Sequence, residues 1–384
     1  MKIGFDAKRA FHNSTGLGNY SRTLVQGLST FYPNHEYYLF NPKPSILYRP
    51  ASPNLIEVQP SGFLEKKFSS VWRSSWVKRD LKRLKIDLYH GLSNEIPVGI
   101  NAANIPSVVT IHDLIFERFP EQFNRIDVSI YQKKYRYACA NATRIIAISE
   151  QTKRDIIDFY KIDEKRIDVC YQSCDPAFGN EIPEEQRQRV RRAFDLPEKF
   201  FLYVGSVIER KNLLNICMAL VQLKGTLDIP LVVIGKGGSY LQKVKNYIAA
   251  NQLADRVIFL SEKEGEGFSL RDTTTMAAVF QMALAMVYPS SFEGFGIPVL
   301  EALWSRTPVI TSSTSCLPEA GGKGSLYVNP SSSNEIAEAM FKVYQDEALR
   351  QRMIQEGWEH AQLFSLEKST ASVMEVYKKI TRHG

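Results

Sequence analysis

Ala285-Met286-Val287-Tyr288-Pro289-Ser290-Ser291-Phe292-Glu293-Gly294-Phe295-Gly296-Ile297-Pro298-Val299-Leu300-Glu301 changes character twice within one short stretch. It opens as an apolar run, suited to a strand buried on both faces. It then turns polar and glycine-bearing, and it ends with Pro298, a residue at home in the first turn of a helix. Strand, turn and helix in that order form the unit of an open α/β sheet, whose ligands gather at the carboxyl ends of strands. Glu293 falls at such a place. Gly294 and Gly296 allow tight turns and close approach of a ligand. The N–H groups of Phe295, Gly296 and Ile297 stand at a helix N-terminus, suited to anions and hydroxyls. Glu301 is expected within the first turn of that helix, where a carboxylate can take two hydrogen bonds from vicinal hydroxyls such as those of a ribose. A capping carboxylate is the plainer reading of either glutamate alone; the whole stretch favours a ligand site.

Outward from this unit the pattern repeats. Phe200–Gly205, Pro230–Gly235, Arg256–Leu260, Met286–Tyr288 and Pro308–Thr311 are short apolar runs separated by helical spacing. An earlier series comprises Lys2–Asp6, Tyr37–Phe40, Leu55–Val58, Asp87–Tyr89, Ser107–Ile111 and Arg144–Ile148. Such alternation predicts two parallel sheets with helices on both faces. The stretch Ser173 to Pro197, polar and carrying Pro176, Pro183 and Pro197, reads as the linker between them. The tail from Ser365 to His383 has helical spacing.

The length of 384 residues suits two domains, and 44% hydrophobic with 23% charged residues is ordinary for a globular chain. No apolar run is long enough to span a bilayer, and the N-terminus lacks the pattern of a signal peptide. Five cysteines without metal-ligand spacing read as reduced structural thiols, consistent with a cytoplasmic protein and no zinc site.

Two further strand ends carry chemistry. After Gly205, the adjacent cations Arg210 and Lys211 read, taken alone, either as a solvated surface pair or as a pair that can hold a diphosphate and offset charge on a leaving group. After β-like Pro230–Ile234 comes Gly235-Lys236-Gly237. Near the start, Gly16-Leu17-Gly18 follows the first strand as a glycine loop, without the third glycine of a dinucleotide fingerprint. His112 ends the run Val109–Ile111, and His90 and Asn94 follow another strand as weaker candidates for the acceptor side. Ser149 and Thr152 suit a helix cap.

The net charge of +7 is uneven: residues 65–85 hold eight lysines and arginines against Glu65 and Asp80. Leu64, Phe68, Trp72, Trp76 and Leu81 lie among them at near-helical spacing. The stretch reads either as a helix with its apolar side in the core and a solvated basic face, or as an amphipathic basic helix lying on an anionic membrane. No nucleic-acid motif accompanies the charge.

The wording from Ser291 through Glu293-Gly294-Phe295-Gly296-Ile297-Pro298 to Glu301-Ala302 resembles that of retaining glycosyltransferase family 4, with its two glutamates separated by seven residues. The resemblance extends over essentially the whole chain. It implies the α/β GT-B fold, two Rossmann-like domains with parallel sheets facing across a cleft. Residues 1–175 would form the acceptor-side domain, 176–365 the nucleotide-sugar domain, and a C-terminal helix over 366–384 would pack back on the first. By the same resemblance Glu293 contacts the donor sugar and Glu301 the ribose. The loop from Gly205 to Asn212 binds the diphosphate: Ser206 stands where many members have arginine, Lys211 fits their lysine, and Arg210 supplies the other cation. Gly16 and Gly18 lie beside the diphosphate, His112 faces the donor sugar, and Gly235 and Lys236 approach the base.

The expected activity is transfer of a hexose, mannose or a related sugar, from a nucleotide-diphosphate sugar to a glycan or lipid-linked acceptor, with retention and without a metal or other cofactor. Cell-surface polysaccharide or lipopolysaccharide synthesis is the expected setting, in the cytoplasm or at the inner face of the membrane through residues 65–85. A sugar-nucleotide epimerase or hydrolase, and a non-catalytic nucleotide-sugar-binding protein, are the alternatives. A donor-only assay with product analysis separates the former, and absence of turnover the latter.

Overall fold

Wholly apolar runs such as Leu231–Ile234 leave no polar face, so their strands must be covered on both sides. The computed structural model, which describes residues 1–381, builds two parallel sheets from them. The first contains β1 (Lys2–Asp6), β2 (Glu36–Phe40), β3 (Leu55–Val58), β4 (Leu88–Gly91), β5 (Ser107–Ile111), β6 (Arg144–Ala147) and β7 (Ile167–Val169). Its order is β3-β2-β1-β4-β5-β6-β7, with Ile3 in register with both Tyr37 and Leu88. The second contains β8 (Phe201–Val204), β9 (Leu231–Ile234), β10 (Val257–Phe259), β11 (Ala285–Tyr288), β12 (Val309–Ser312) and β13 (Ser325–Val328), in the order β10-β9-β8-β11-β12-β13. In each sheet the order of strands reverses once, beside β1 in the first and beside β8 in the second. Such switch points open a crevice at the carboxyl ends of the strands.

The chain divides into two units, Met1–Ser173 with the segment from Ser365, and Cys174–Phe364. The helix Leu366–Thr381 belongs to the first. Its Val373, Met374, Val376, Tyr377 and Ile380 join one face's core beside Leu24 and Leu28 of the helix Gly16–Phe31. Each large side chain buried in this way contributes about 1.5–3 kcal/mol. The end of the expected helix, residues 382–384, lies outside the described residues.

Three expectations change. The stretch Ser173–Pro197 is not a loose linker: it forms the turn Pro176–Gly179 and the helix Glu184–Phe194. Val190 and Phe194, four residues apart, are buried, and Phe178 packs on Phe280. The charged exterior of the helix disguised that pair. Residues 65–85 do not form one helix. A turn over Phe63–Lys67 breaks at Phe68, a wide π turn runs over Trp72–Trp76, and a helix resumes over Val77–Arg83. Trp72 is fully buried and its indole N–H bonds Asp80 at 2.8 Å, so this tryptophan belongs to the core. Finally, Gly16 and Gly18 lie in the first turn of the helix Gly16–Phe31, not in a free loop. The Asn13 side chain accepts from Thr15 N (2.9 Å) and Gly18 N (3.2 Å) and so starts the helix early.

Candidate active site

Adjacent strands β8 and β11 flank the switch point of the second sheet, and the loops at their carboxyl ends build one constellation. After β8, Gly205 has φ +146°, a backbone conformation that strains other residues and favours glycine. A 3-10 turn over Glu209–Lys211 follows and projects its two cations toward the loop after β11. Arg210 is stitched to that loop through its backbone as well: its carbonyl accepts from Ser291 N (2.8 Å) and Ser290 Oγ (3.1 Å).

Glu293 is the acceptor at the centre. Its Oε2 lies 2.9 Å from Arg210 Nη1, and its Oε1 lies 3.6 Å from Lys211 Nζ. Tyr288 Oη and Ser290 Oγ donate to Oε1 at 2.9 and 2.8 Å. Tyr288 Oη in turn accepts from Lys211 Nζ at 2.6 Å. The backbone of Glu293 is fixed too, donating to Ser315 Oγ at 3.0 Å while its carbonyl accepts from Cys316 Sγ. Burial pushes the Glu293 carboxyl up. Lys211 and Arg210, with the hydrogen bonds from Ser290 and Arg210, outweigh burial and hold it below the usual range. These partners favour the ionised carboxylate and engage both of its oxygens.

Beyond Glu293 the chain turns at Gly296, with φ +107°, into the helix Ile297–Trp304, and Pro298 occupies its first turn. Phe295 is buried against Phe364. Glu301 lies in the second turn, not the first as the sequence suggested, because the helix already begins at Ile297 and Glu301 is its fifth residue. The residue is partly exposed as a whole, but its carboxyl is deep. Burial and the neighbouring Asp175 push it up to about 8, against the opposing effect of Lys211. Gly235 N bonds Ser261 Oγ at 2.8 Å, and a Cβ at Gly235 would strike the Gly205 carbonyl. Lys236 receives Val207 N on its carbonyl and leaves its side chain in solvent. The second unit thus gathers Gly205, Arg210, Lys211 and Glu293 tightly and brings Glu301 within electrostatic reach of Lys211.

In the first unit His112 is buried at the end of β5. Its Nε2–H donates to the Leu92 carbonyl at 2.9 Å, and Gln172 Nε2 approaches Nδ1 at 3.3 Å. Burial lowers its pKa to about 4, so the ring is neutral. His90 and Asn94 do not line an open surface. His90 bonds Tyr377 Oη at 2.6 Å and Thr110 Oγ1 at 2.8 Å, and Asn94 Oδ1 accepts from His112 N at 2.8 Å. Ser149 caps the helix Glu150–Tyr160 through Thr152 N.

Sequence reasoning passed over Tyr288, Ser290 and Asp175. Tyr288 closes an apolar run and looks like core; Asp175 is remote in sequence from Glu301. Among the described residues no three His, Cys, Asp or Glu side chains gather as a metal site, and no helix is long and apolar enough to cross a membrane.

Two Rossmann-like parallel sheets, with cations meeting a carboxylate at the switch point of the second, are the architecture of the GT-B fold. Residues 14–178 match the family model described as Glycosyltransferase Family 4 and residues 184–360 that described as Glycosyl transferases group 1; the chain belongs to this glycosyltransferase family. It is 25% identical to the O-antigen chain mannosyltransferase B of Escherichia coli, over 98% of this chain and 100% of that one. It is 26% identical to the O-antigen chain mannosyltransferase RfbU of Salmonella typhimurium, over 62% of this chain and 60% of that one. Its fold is similar to that of sucrose-phosphate synthase from Thermosynechococcus elongatus, with TM-score 0.77, 20% identity and all of both chains covered. It is also similar to Anabaena HepE in complex with UDP-glucose, with TM-score 0.73, 16% identity, and 99% and 100% of the two chains covered.

Proposed function

We propose that this glycosyltransferase moves a hexose, mannose or a close relative, from a nucleotide-diphosphate sugar to a glycan or lipid-linked acceptor in cell-surface polysaccharide or lipopolysaccharide synthesis. The names of the O-antigen mannosyltransferase relatives support the sugar and the setting. The observation that carries the chemistry is the Glu293 carboxylate held ionised between Arg210 and Lys211.

In this reading the bond between the anomeric carbon and the leaving phosphate oxygen breaks, and its electron pair stays on the diphosphate. Arg210 and Lys211 stabilise that charge and supply what a divalent cation would otherwise give. The acceptor oxygen bonds the anomeric carbon on the same face, and its proton passes to the departing phosphate oxygen, so configuration is retained. Glu293 orients the donor sugar and supports developing positive charge at the anomeric carbon; it forms no covalent bond. Glu301 receives the ribose hydroxyls, and Gly16, Gly18, Gly205, Gly235, Lys236 and the turn Phe295–Ile297 approach the nucleotide. His112 offers the sugar a neutral ring and not a proton. The acceptor is reached at the inner face of a membrane, with peripheral contact through the basic stretch 65–85.

A thermal-shift panel of nucleotides and nucleotide sugars tests the donor site. Stabilisation by one nucleoside diphosphate and its hexose conjugate is expected, and a flat response to the whole panel would sink the reading.

A further inference from the structure

Single exposed apolar side chains are normal, whereas clusters mark a partner. Of the fifteen large hydrophobic side chains exposed among the described residues, twelve lie in the first unit, so an apolar partner is to be sought there. Four of them fall within nine residues: Phe63, Leu64, Phe68 and Val71 are 79%, 59%, 47% and 41% exposed. Leu64, Phe68 and Val71 follow at four and three residues. The bonds Phe68 N to Leu64 O and Val71 N to Phe68 O carry the winding across the break at Phe68. Leu64 and Phe68, joined by the first of these bonds, share one side of the turn Phe63–Lys67; beyond the break Val71 stays exposed while Trp72, next along, turns into the core. Exposed Val98 adjoins this segment, its N–H donating to the Ser74 carbonyl at 2.7 Å and its carbonyl accepting from Lys78 Nζ at 2.6 Å.

Charge decides the occupant. Lys66 and Lys67 are exposed within the apolar turn, with Lys67 Nζ 5.8 Å from the Phe68 ring centroid. Arg73, by contrast, is withdrawn onto Asp6, which it grips through Nε and Nη2. The core of a protein–protein interface is depleted in lysine. Long lysine stems with apolar neighbours instead suit a boundary where acyl chains meet anionic headgroups.

We propose that this surface docks on an anionic lipid bilayer, with Phe63, Leu64 and Phe68 entering the acyl boundary and Lys66 and Lys67 holding the headgroups. The proposal deepens the membrane part of the function proposed above and rests on it. It places the contact not at Trp72, which is in the core, but at the two phenylalanines Phe63 and Phe68.

The test is sedimentation of the full chain with vesicles of phosphatidylcholine alone or mixed with phosphatidylglycerol. Wild type is expected to pellet with the anionic vesicles and to be released by salt. Phe63→Ser with Phe68→Ser should lower the partition by about tenfold or more, and Lys66→Glu with Lys67→Glu should abolish the preference for anionic lipid. Thermal shift with GDP-mannose and UDP-glucose serves as the control for folding and for the donor site, which these variants leave unchanged. A donor-site failure with vesicle binding intact would fault the catalytic reading and leave the docking surface standing. Equal partition of wild type and variants overturns the proposal. So does a wild type that ignores vesicles, or one that instead forms a dimer dissolved by Phe63→Ser with Phe68→Ser.

Discussion

Tyr288 Oη stands between Lys211 and Glu293, accepting from Lys211 Nζ at 2.6 Å and donating to Glu293 Oε1 at 2.9 Å. The two charged groups are thus fixed relative to each other through a neutral phenol on a strand end. Tyr288→Phe keeps the ring that fills the core and deletes only this link. The variant is expected to fold and to lose about 10- to 100-fold in kcat, the scale of one misplaced group in a preorganised site. A hydrogen bond that favours the ionised carboxylate is gone, so the acidic limb of the pH–rate profile should move to higher pH. An unchanged profile and rate would show that the phenol is mere packing.

Lys211→Ala removes one of the two cations that face Glu293. Arg210 remains at 2.9 Å, so the carboxylate stays paired and the fold should hold. Transfer is expected to fall by about 10²–10³-fold, the usual cost of one charge-stabilising group. Glu293→Ala, which removes the carboxylate itself, should abolish transfer in a folded protein, as circular dichroism would check. Full activity in either variant would remove the assignment.

Glu301 has its carboxyl pushed up to about 8 by burial and Asp175. The folded state therefore holds a proton that the unfolded state releases at lower pH, and stability contributed by the neutral form is lost as pH rises through about 8. Glu301→Gln fixes the neutral form. Its melting temperature should gain on wild type between pH 5 and 9 when both are measured by calorimetry. A constant difference would mean the carboxyl is already ionised at pH 5.

His90 and His112 run the other way. Burial lowers them to about 3 and about 4, so both remain neutral in the fold while the unfolded chain takes up protons below about 6.5. Stability should drop as pH falls from about 6.5 toward 4. His90→Gln should flatten that decline in urea titrations across the range; an unaltered slope would place the acid sensitivity elsewhere.

The strand ends that carry Arg210, Lys211 and Glu293 were legible because each follows an apolar run and breaks it with charge. The side chains that tie them together were not. Tyr288 has the hydropathy of its strand, and only the adjacency of β8 and β11 reveals that its hydroxyl meets a lysine 77 residues away. Asp175 reaches Glu301 only through the fold. The spacing of Trp72 and Trp76 suited either the core or a membrane surface, and the π turn and the Asp80 carboxylate draw Trp72 inward. Val190 and Phe194 were hidden by the charge around them, which turned a helix of the second unit into an apparent linker.

The central claim is transfer with retention from a nucleotide-sugar. It is tested most directly by incubating the protein with GDP-α-mannose, or UDP-α-glucose, in the absence of any other acceptor, so that water takes the acceptor's place. Proton NMR in the first minutes, before mutarotation, reads the configuration of the freed sugar. The account predicts release of the nucleoside diphosphate together with the α-hexose, in wild type and not in Glu293→Ala. First appearance of the β-hexose would contradict it.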